Sequence, residues 1–206
     1  MTVVFLAVLV TVCGAFPEPA VLHRPGHWTL DVKFEHPRQI MAQLSGQDQP
    51  QRFWYMILNV TNNTSDDVGF YPKFELMTDR FEIIQAGKSV RAEVFRLIKS
   101  RHQTKYPFLE YLETADNRIL QGPDNARDIA IIWPDFDPEV KAVKLFLGGL
   151  SNETAAIAHP VAKDKNRQPL RVILAKTLEL SYAVPGTPAR RAKAKMAFKT
   201  KRWVMR

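Results

Sequence analysis

Alternation of apolar and polar side chains is the feature that most constrains the fold of this chain. A period of two places apolar side chains on one face of an extended strand and polar side chains on the other. In "HWTLDVKFEH" the apolar positions of this period are Trp28, Leu30, Val32 and Phe34. The stretch "FWYMILNV", residues 53–60, is apolar at nearly every position. That pattern favours a strand in the middle of a sheet, with both faces covered.

Strand-like patterns recur in the second half of the chain, in "DIAIIWP", "AVKLFLGGLSNET", "PLRVILAKTLELSYAVP" and "KMAFKTKRWVM". The period of two is clearest in the third of these, at Leu170, Val172, Leu174, Leu178, Leu180 and Tyr182. We count about seven to nine strands and no repeated strand–helix–strand unit. The pattern predicts a mainly β fold, an antiparallel immunoglobulin-like β-sandwich with one inserted amphipathic helix.

The inserted helix is predicted at about residues 89–101, where the apolar spacing changes from two to that of a helix. Charged residues separate the apolar positions of this stretch, which are Val90, Val94, Leu97 and Ile98. Ser89 is the predicted N-cap, because its hydroxyl can accept a hydrogen bond from an amide in the first helical turn. The helix lies within a wider insertion, residues 85–128.

The polar stretch "TNNTSDD", residues 61–67, separates two apolar runs. Asn and Asp side chains bond to nearby backbone and tolerate left-handed conformations, so the stretch predicts a hairpin connection between two strands. It also contains Asn-x-Ser/Thr triplets, which would be glycan acceptors only in a host that glycosylates exported proteins. In the whole chain these triplets begin at Asn59, Asn62, Asn63 and Asn152.

The N-terminus has the pattern of a secretory signal peptide. Residues 3–12 are nearly all apolar, and the small residues Gly14 and Ala15 follow shortly afterwards, so we predict a leader over residues 1–15. No Lys or Arg precedes the apolar run, which is a departure from the usual pattern. The run is also shorter than the roughly 20 residues that span a bilayer. Val12 in front of Cys13 argues against lipidation of that cysteine, because a small residue is expected there.

The predicted organisation is a Pro-rich lead-in over residues 16–27 and one domain over residues 28–206. The protein is expected to be exported to the periplasm, the cell envelope or the extracellular space. Once Cys13 is removed with the leader, the mature chain contains no cysteine, which excludes disulfides and cysteine nucleophiles. No transmembrane segment is expected in the mature chain.

The net charge of +8 belongs to one terminal segment. Residues 190–206 contain eight of the 29 basic residues and none of the 21 acidic ones, so the rest of the chain is electrically balanced. A cationic strand or tail of this kind predicts contact with a polyanion. The alternative is an edge strand whose lysines prevent unwanted pairing. The candidate polyanion-binding residues are Arg190, Arg191, Lys193, Lys195, Lys199, Lys201 and Arg202.

Motifs that perform catalysis or hold a cofactor are missing from the sequence. His23 and His27 have metal-like spacing, but Pro25 and Gly26 interrupt the helix that this spacing requires. Ser151 follows two glycines but lacks the second glycine of a nucleophile elbow, which favours a turn at a strand end. The paired acids lack the spacing of a calcium loop; they are Asp66, Asp67, Asp135 and Asp137. We therefore predict no catalytic residue, no cofactor and no metal ligand.

Three blocks of the sequence resemble a family of uncharacterised exported proteins of planctomycete-type bacteria. They are "FWYMILNVTNNTSDDVGFYPKFELMTD", "ARDIAIIWPDFDPEVKAVKLFLGGLSNET" and "LAKTLELSYAVPG" with the final "RWVMR". The first block is also similar to bacterial immunoglobulin-like domains. The resemblance spans about residues 28–206 and implies export, but it transfers no activity, cofactor or site residue. This chain departs from the family between Gly186 and Trp203, where more acidic residues are expected.

The leading functional hypothesis is a non-enzymatic binding or structural component of the cell envelope, with an envelope protein or a glycan as partner and no nucleic acid. Two alternatives remain. One is a hydrolase or a metal-dependent enzyme whose site is assembled from distant loops. The other is polyanion binding through the basic terminal segment. A concave pocket with clustered Asp, Glu and His would favour the enzyme, whereas dispersed acids would favour binding.

Overall fold

The computed structural model describes residues 26–163, 165–187 and 194–206. The predicted signal peptide and nearly all of the lead-in lie outside these residues, as do Arg190, Arg191 and Lys193. The described chain is mainly β, which confirms that part of the sequence prediction. Its elements are β1 (Asp31–Phe34), β2 (Arg38–Ala42), β3 (Gln51–Thr61), β4 (Val68–Gly69), β5 (Lys73–Thr78), β6 (Ile83–Gln85), α1 (Ala92–His102), β7 (Glu110–Tyr111), β8 (Arg118–Ile119), β9 (Arg127–Pro134), β10 (Ala142–Gly148), β11 (Thr154–Lys163), β12 (Pro169–Ala183) and β13 (Ala197–Met205), with short 3-10 helices at Leu112–Thr114 and Pro123–Asn125.

The first sheet is built around β3. Strand β9 pairs along one edge of β3, from Phe53 opposite Pro134 to Val60 opposite Arg127. Strands β1 and β2 both pair antiparallel with β3. Strand β1 pairs with residues 58–61 of β3, and β2 pairs with residues 51–55. A corner over residues 35–37 therefore joins β1 to β2. Strand β7 completes the sheet by pairing with β9 in parallel.

The second sheet has the strand order β11-β12-β10-β5-β6, and β13 also pairs with β12. All of its pairings are antiparallel. In its later part β12 pairs with β13 over residues 176–183 and with β10 over residues 178–183, whereas its earlier part, residues 169–175, pairs with β11. The sequence left open whether the basic terminal segment is a strand or a tail, and the structure has strand β13 at Ala197–Met205. A separate two-stranded sheet joins β4 to β8.

The main hydrophobic core contains residues from both large sheets, an arrangement consistent with a β-sandwich. Fully buried side chains of β3 and β9, such as Trp54 and Trp133, share this core with Leu76, Leu145 and Leu180 of the second sheet. Each large side chain that leaves water in this way stabilises the fold by roughly 1.5–3 kcal/mol. The alternation in β1 is also confirmed, since Trp28, Val32 and Phe34 pack against the core and Leu30 is buried within it.

The opposite face of β3 packs against the helix. Phe53, Tyr55 and Ile57 form a second cluster together with Val94 and Ile98 of α1. Because successive side chains of a strand point to opposite faces, β3 has one row of side chains in each cluster. This arrangement confirms the prediction that the stretch at residues 53–60 is covered on both faces.

The predicted hairpin after β3 is wrong. Strand β3 belongs to the first sheet and β5 to the second, so residues 62–72 cross from one sheet to the other. The side chain of Asn62, which is fully buried, nevertheless forms the hydrogen bonds that stabilise the turn. Its side-chain amide donates hydrogen bonds to Asp66 O at 2.8 Å and to Ile119 O at 3.1 Å. Asn and Asp promote a turn, but they do not decide which strand pairs with which.

The predicted helix is confirmed, but its start and its N-cap were wrong. Helix α1 begins at Ala92, and Arg91 occupies the N-cap position without a side-chain hydrogen bond to the helix. Ser89 instead has a positive φ of 63° and lies in the turn in which the Val90 amide donates to Gly87 O at 3.0 Å. A residue in a left-handed turn cannot also begin the helix. The left-handed turn that includes Gly87 thus excludes Ser89 from the N-cap position, although serine is a favoured N-cap residue.

The "GGLSN" stretch forms the turn predicted at the end of a strand. Gly149 has a positive φ of 84°, and an added Cβ there would lie 2.3 Å from the carbonyl oxygen of Tyr71. Only glycine permits both this conformation and this close approach. Ser151 then donates a hydrogen bond from Oγ to Trp28 O at 2.7 Å, so its hydroxyl joins the turn to the strand beside it.

Leu145→Ala tests the shared core. Leu145 is fully buried in β10, between Leu76 of β5 and Leu180 of β12. The substitution is expected to lower the free energy of unfolding by about 2–5 kcal/mol, because it removes apolar contacts and leaves a cavity. Chemical denaturation measures the effect. The control is Phe108→Ala at a side chain that is 84% exposed, with an expected change within about 0.5 kcal/mol. Equal losses for the two variants would contradict the assigned core.

Candidate functional site

A cleft of about 930 Å³ lies at the corner between β1 and β2. We call it the corner cleft, and it is lined by residues 34–39 on one side and by residues 194–196 on the other. The first group belongs to the first sheet, and the second group leads directly into β13 of the second sheet. The side chain of Gln39 bridges the two groups by donating a hydrogen bond from Nε2 to Ala194 O at 2.5 Å. The cleft is therefore a site where the edges of two sheets meet.

Aromatic rings gather around His36 at one side of the cleft. The His36 ring centroid lies 5.2 Å from that of Phe198, 5.7 Å from that of Phe34 and 5.8 Å from that of Tyr182. The Tyr182 hydroxyl lies 3.2 Å from Nδ1 of His36. Burial raises the pKa of Tyr182, so this hydroxyl keeps its proton. His36 and Phe198 both remain exposed.

Glu35 is the acidic residue of the cleft lining, and its carboxylate is already engaged. Arg38 lies 2.8 Å from it, the Lys105 amine 2.5 Å and the Tyr106 hydroxyl 2.7 Å. Burial by itself would raise the pKa of Glu35, but the hydrogen bonds from Lys105 and Tyr106 and the charge of Arg38 outweigh it and lower the pKa below the usual value. Glu35 is therefore an ion-paired carboxylate rather than a free base.

Lys195 contributes a further cation to the cleft lining. The lining thus presents Arg38 and Lys195 against one carboxylate, whose charge Lys105 also offsets. Lys201 lies nearby, with its amine 5.6 Å from the centroid of the Phe34 ring. A concave surface with an excess of cations attracts anions.

The structure brings together only part of the predicted polyanion-binding set. Lys195 lines the cleft and Lys201 lies over Phe34, whereas Arg202 points to the other face of β13, because successive side chains of a strand alternate. Arg202 there pairs with the buried carboxylate of Glu179 at 2.9 Å. Lys199 is exposed beside the register shift in β13. Arg190, Arg191 and Lys193 lie outside the described residues.

The paired acids form structural contacts. Asp135 accepts hydrogen bonds from Trp54 Nε1 at 2.9 Å and from Arg52 at 3.2 Å. Asp137 pairs with Arg80 at 2.5 Å, and Asp67 accepts from the Gln121 amide. Across the described residues no group of three or more His, Cys, Asp or Glu side chains is placed to hold a metal ion.

A second polar contact, missed by the sequence analysis, lies between β3 and α1. The Tyr55 hydroxyl lies 2.9 Å from Nε2 of His102, and both side chains are buried. Burial lowers the pKa of His102, and the charges of Arg38, Arg101 and Lys105 lower it further, while Glu35 opposes them. His102 lies four residues after Ile98 in the helix, and this spacing could have predicted that His102 lies on the buried face.

No family model, no curated protein and no solved structure matches the chain. The resemblance to planctomycete-type exported proteins therefore stays a prediction. In the part of the chain that the structure describes, no helix is long and apolar enough to cross a membrane.

His102→Gln tests the buried histidine through the pH dependence of stability. The folded pKa of His102 lies below its usual value of 6.5, so its neutral form stabilises the fold above that pH. The stability is lost as the pH falls through the lower folded pKa, because the unfolded chain then binds more protons. Thermal unfolding between about pH 7 and pH 5 should show this loss in the wild type and a smaller loss in the variant.

The matched control for this experiment is His27→Gln, since His27 is exposed. It should leave the pH dependence of the wild type unchanged. Carboxylates remain ionised over most of this range, which separates the effect of His102 from that of Glu35. A His102→Gln protein with the full wild-type slope would show that His102 does not titrate as its burial requires.

Proposed function

We propose that this protein is an exported, non-enzymatic binding protein of the cell envelope that holds an acidic glycan in the corner cleft. The single observation that supports the proposal is the composition of the cleft. Arg38 and Lys195 line it, Lys201 lies beside it, and Glu35 is already ion-paired. A carboxylated or sulfated sugar would complete the charge balance.

The exposed rings favour a glycan over a small inorganic anion. His36 and Phe198 present aromatic surface next to the cations, and the apolar face of a sugar ring packs well against such surface. The few polar groups then fix the orientation of the ligand, as in other binding sites. The cleft volume of about 930 Å³ is large enough for an oligosaccharide.

A binding function explains the arrangement of acids better than the enzyme alternative does. Among the described residues, Glu35, Asp135, Asp137 and Glu179 each pair with a cation. Such carboxylates are already held by protein cations, whereas a general acid or base must be within hydrogen-bond reach of the substrate proton that it transfers. The proposal of export is supported by the leader pattern at residues 1–15.

We also propose that the two large sheets form an immunoglobulin-like sandwich. Support comes from the shared core between the sheets and from their largely antiparallel pairing. The sequence similarity of the first block to bacterial immunoglobulin-like domains points the same way. Fold alone does not fix the ligand, so the function rests on the cleft.

Lys195→Glu tests the glycan site. Lys195 has an exposed side chain, so its replacement should leave the fold intact. We expect the variant to bind a heparin-derived oligosaccharide about tenfold more weakly than the wild type, because one charge-assisted contact is lost. Isothermal titration calorimetry measures the affinity, and wild-type binding should weaken as salt is added.

The charge-matched control is Lys88→Glu, at an exposed lysine remote in sequence from the cleft. If Lys88→Glu weakens binding as much as Lys195→Glu, the effect is one of net charge and the site is wrong. A wild-type protein that binds no acidic oligosaccharide would overturn the proposal. Deletion of residues 190–206 is a poorer test, since it also removes β13 and the Trp203 side chain that packs against the core.

A further inference from the structure

Strand β11 and the earlier part of β12 project beyond the neighbouring strands of their sheet. They pair from Thr154 opposite Ala175 to Ala158 opposite Arg171, and again at Lys163 opposite Pro169. The pairing of β10 with β12 ends at Leu178, and β13 ends opposite Lys176. We call residues 154–163 and 169–174 the hairpin arm. Within the described chain, β11 is thus the strand that pairs with residues 169–174.

The hairpin arm exposes large apolar side chains on both of its faces. Ile157 is 47% exposed and lies opposite Val172, so these two side chains share a face. Ile173 is 64% exposed and lies opposite Ala156, which places it on the other face. Val161 and Leu170 add further exposed apolar surface. A globular partner would cover one face of such a hairpin and leave the other in water.

All but one of the charged residues in the hairpin arm and its turn are positive. Between residues 154 and 174 the sequence contains four cations and one acid, Asp164. The cations are Lys163, Lys165, Arg167 and Arg171, and all four are exposed. The net charge of these residues is therefore positive, next to the exposed apolar side chains.

We propose that the hairpin arm lies in the interface of an anionic lipid membrane. Apolar side chains that enter the boundary between headgroups and acyl chains lose contact with water, while neighbouring Lys and Arg side chains attract anionic headgroups. Because a lipid interface surrounds an inserted segment, it covers Ile157 and Ile173 together. This surface is separate from the corner cleft, so the inference does not depend on the glycan proposal.

A second copy of the chain fits the arm less well. Pairing of two arms edge to edge would need free backbone amides, and Pro160 and Pro169 lack them. It would also bring the like charges of Lys163 and Arg171 close to those of the other copy, which destabilises a strand pair. Charge complementarity therefore favours a negative surface over a second arm.

Vesicle sedimentation tests the inference with the full mature chain. The probes are vesicles of phosphatidylcholine alone and vesicles that also contain about 30 mol% phosphatidylglycerol. The wild type should bind the anionic vesicles, bind the neutral ones much less, and dissociate as salt is raised. Combined Lys165→Gln and Arg167→Gln substitutions should weaken binding by about 25-fold, because each cation near the surface contributes about fivefold.

A second variant tests the apolar contribution separately. Combined Ile157→Ser and Ile173→Ser substitutions should reduce binding to anionic vesicles while leaving the fold and the charge unchanged. Phe108→Ser is the matched apolar control, since its side chain is 84% exposed outside the arm. Lys195→Glu is the matched charge control at the corner cleft. Both controls should bind vesicles as the wild type does.

Several outcomes would overturn the inference. These are equal binding to neutral and anionic vesicles, absence of binding to both, and arm variants that bind as well as the wild type. A wild-type dimer that dissociates in the arm variants, without vesicle binding, would instead assign the arm to a second copy; analytical ultracentrifugation detects this result. A wild-type protein that binds anionic vesicles but no acidic oligosaccharide would overturn only the function proposed for the cleft.

Discussion

The burial of β3 on both faces is the constraint on which the rest of the structure depends. One row of its side chains lies in the main core with the second sheet, and the other row packs against α1. A strand covered on both faces must still satisfy its backbone along both edges. Strand β9 occupies one edge, and β1 and β2 pair with the remaining backbone groups, with a corner between them.

That corner explains why the cleft has its particular chemistry. In the corner between β1 and β2, the side chains of Glu35 and His36 contact different neighbours. Glu35 is held by cations and a tyrosine hydroxyl, while His36 packs among aromatic rings that include Phe198 of β13. The site thus combines a corner of one sheet with the terminal strand of the other, and both sheets fix its shape.

Local patterns in the sequence predicted the strands and the helix well, but not how they associate. The alternation in β1 and the double burial of β3 were both predicted from the pattern of apolar residues. The hairpin after β3 was wrong, because a turn rich in Asn and Asp suits a crossing between sheets as well as a hairpin. The start of α1 was wrong because Gly87 and Ser89 form a left-handed turn first. Of the candidate site, the sequence pattern singled out Lys195 and Lys201 but not Arg38, Glu35 or His36, because their neighbours come from distant segments.

The sequence by itself determined the fold class and the position of the excess charge, since both follow from residue type and spacing along the chain. Only the tertiary structure decided which cations of the terminal segment face a cleft. Lys201 and Arg202 are adjacent and chemically alike, yet one lies over Phe34 and the other pairs with buried Glu179. The physical reason is that a strand sends successive side chains to opposite faces, and the function of each face depends on partners far away in the sequence.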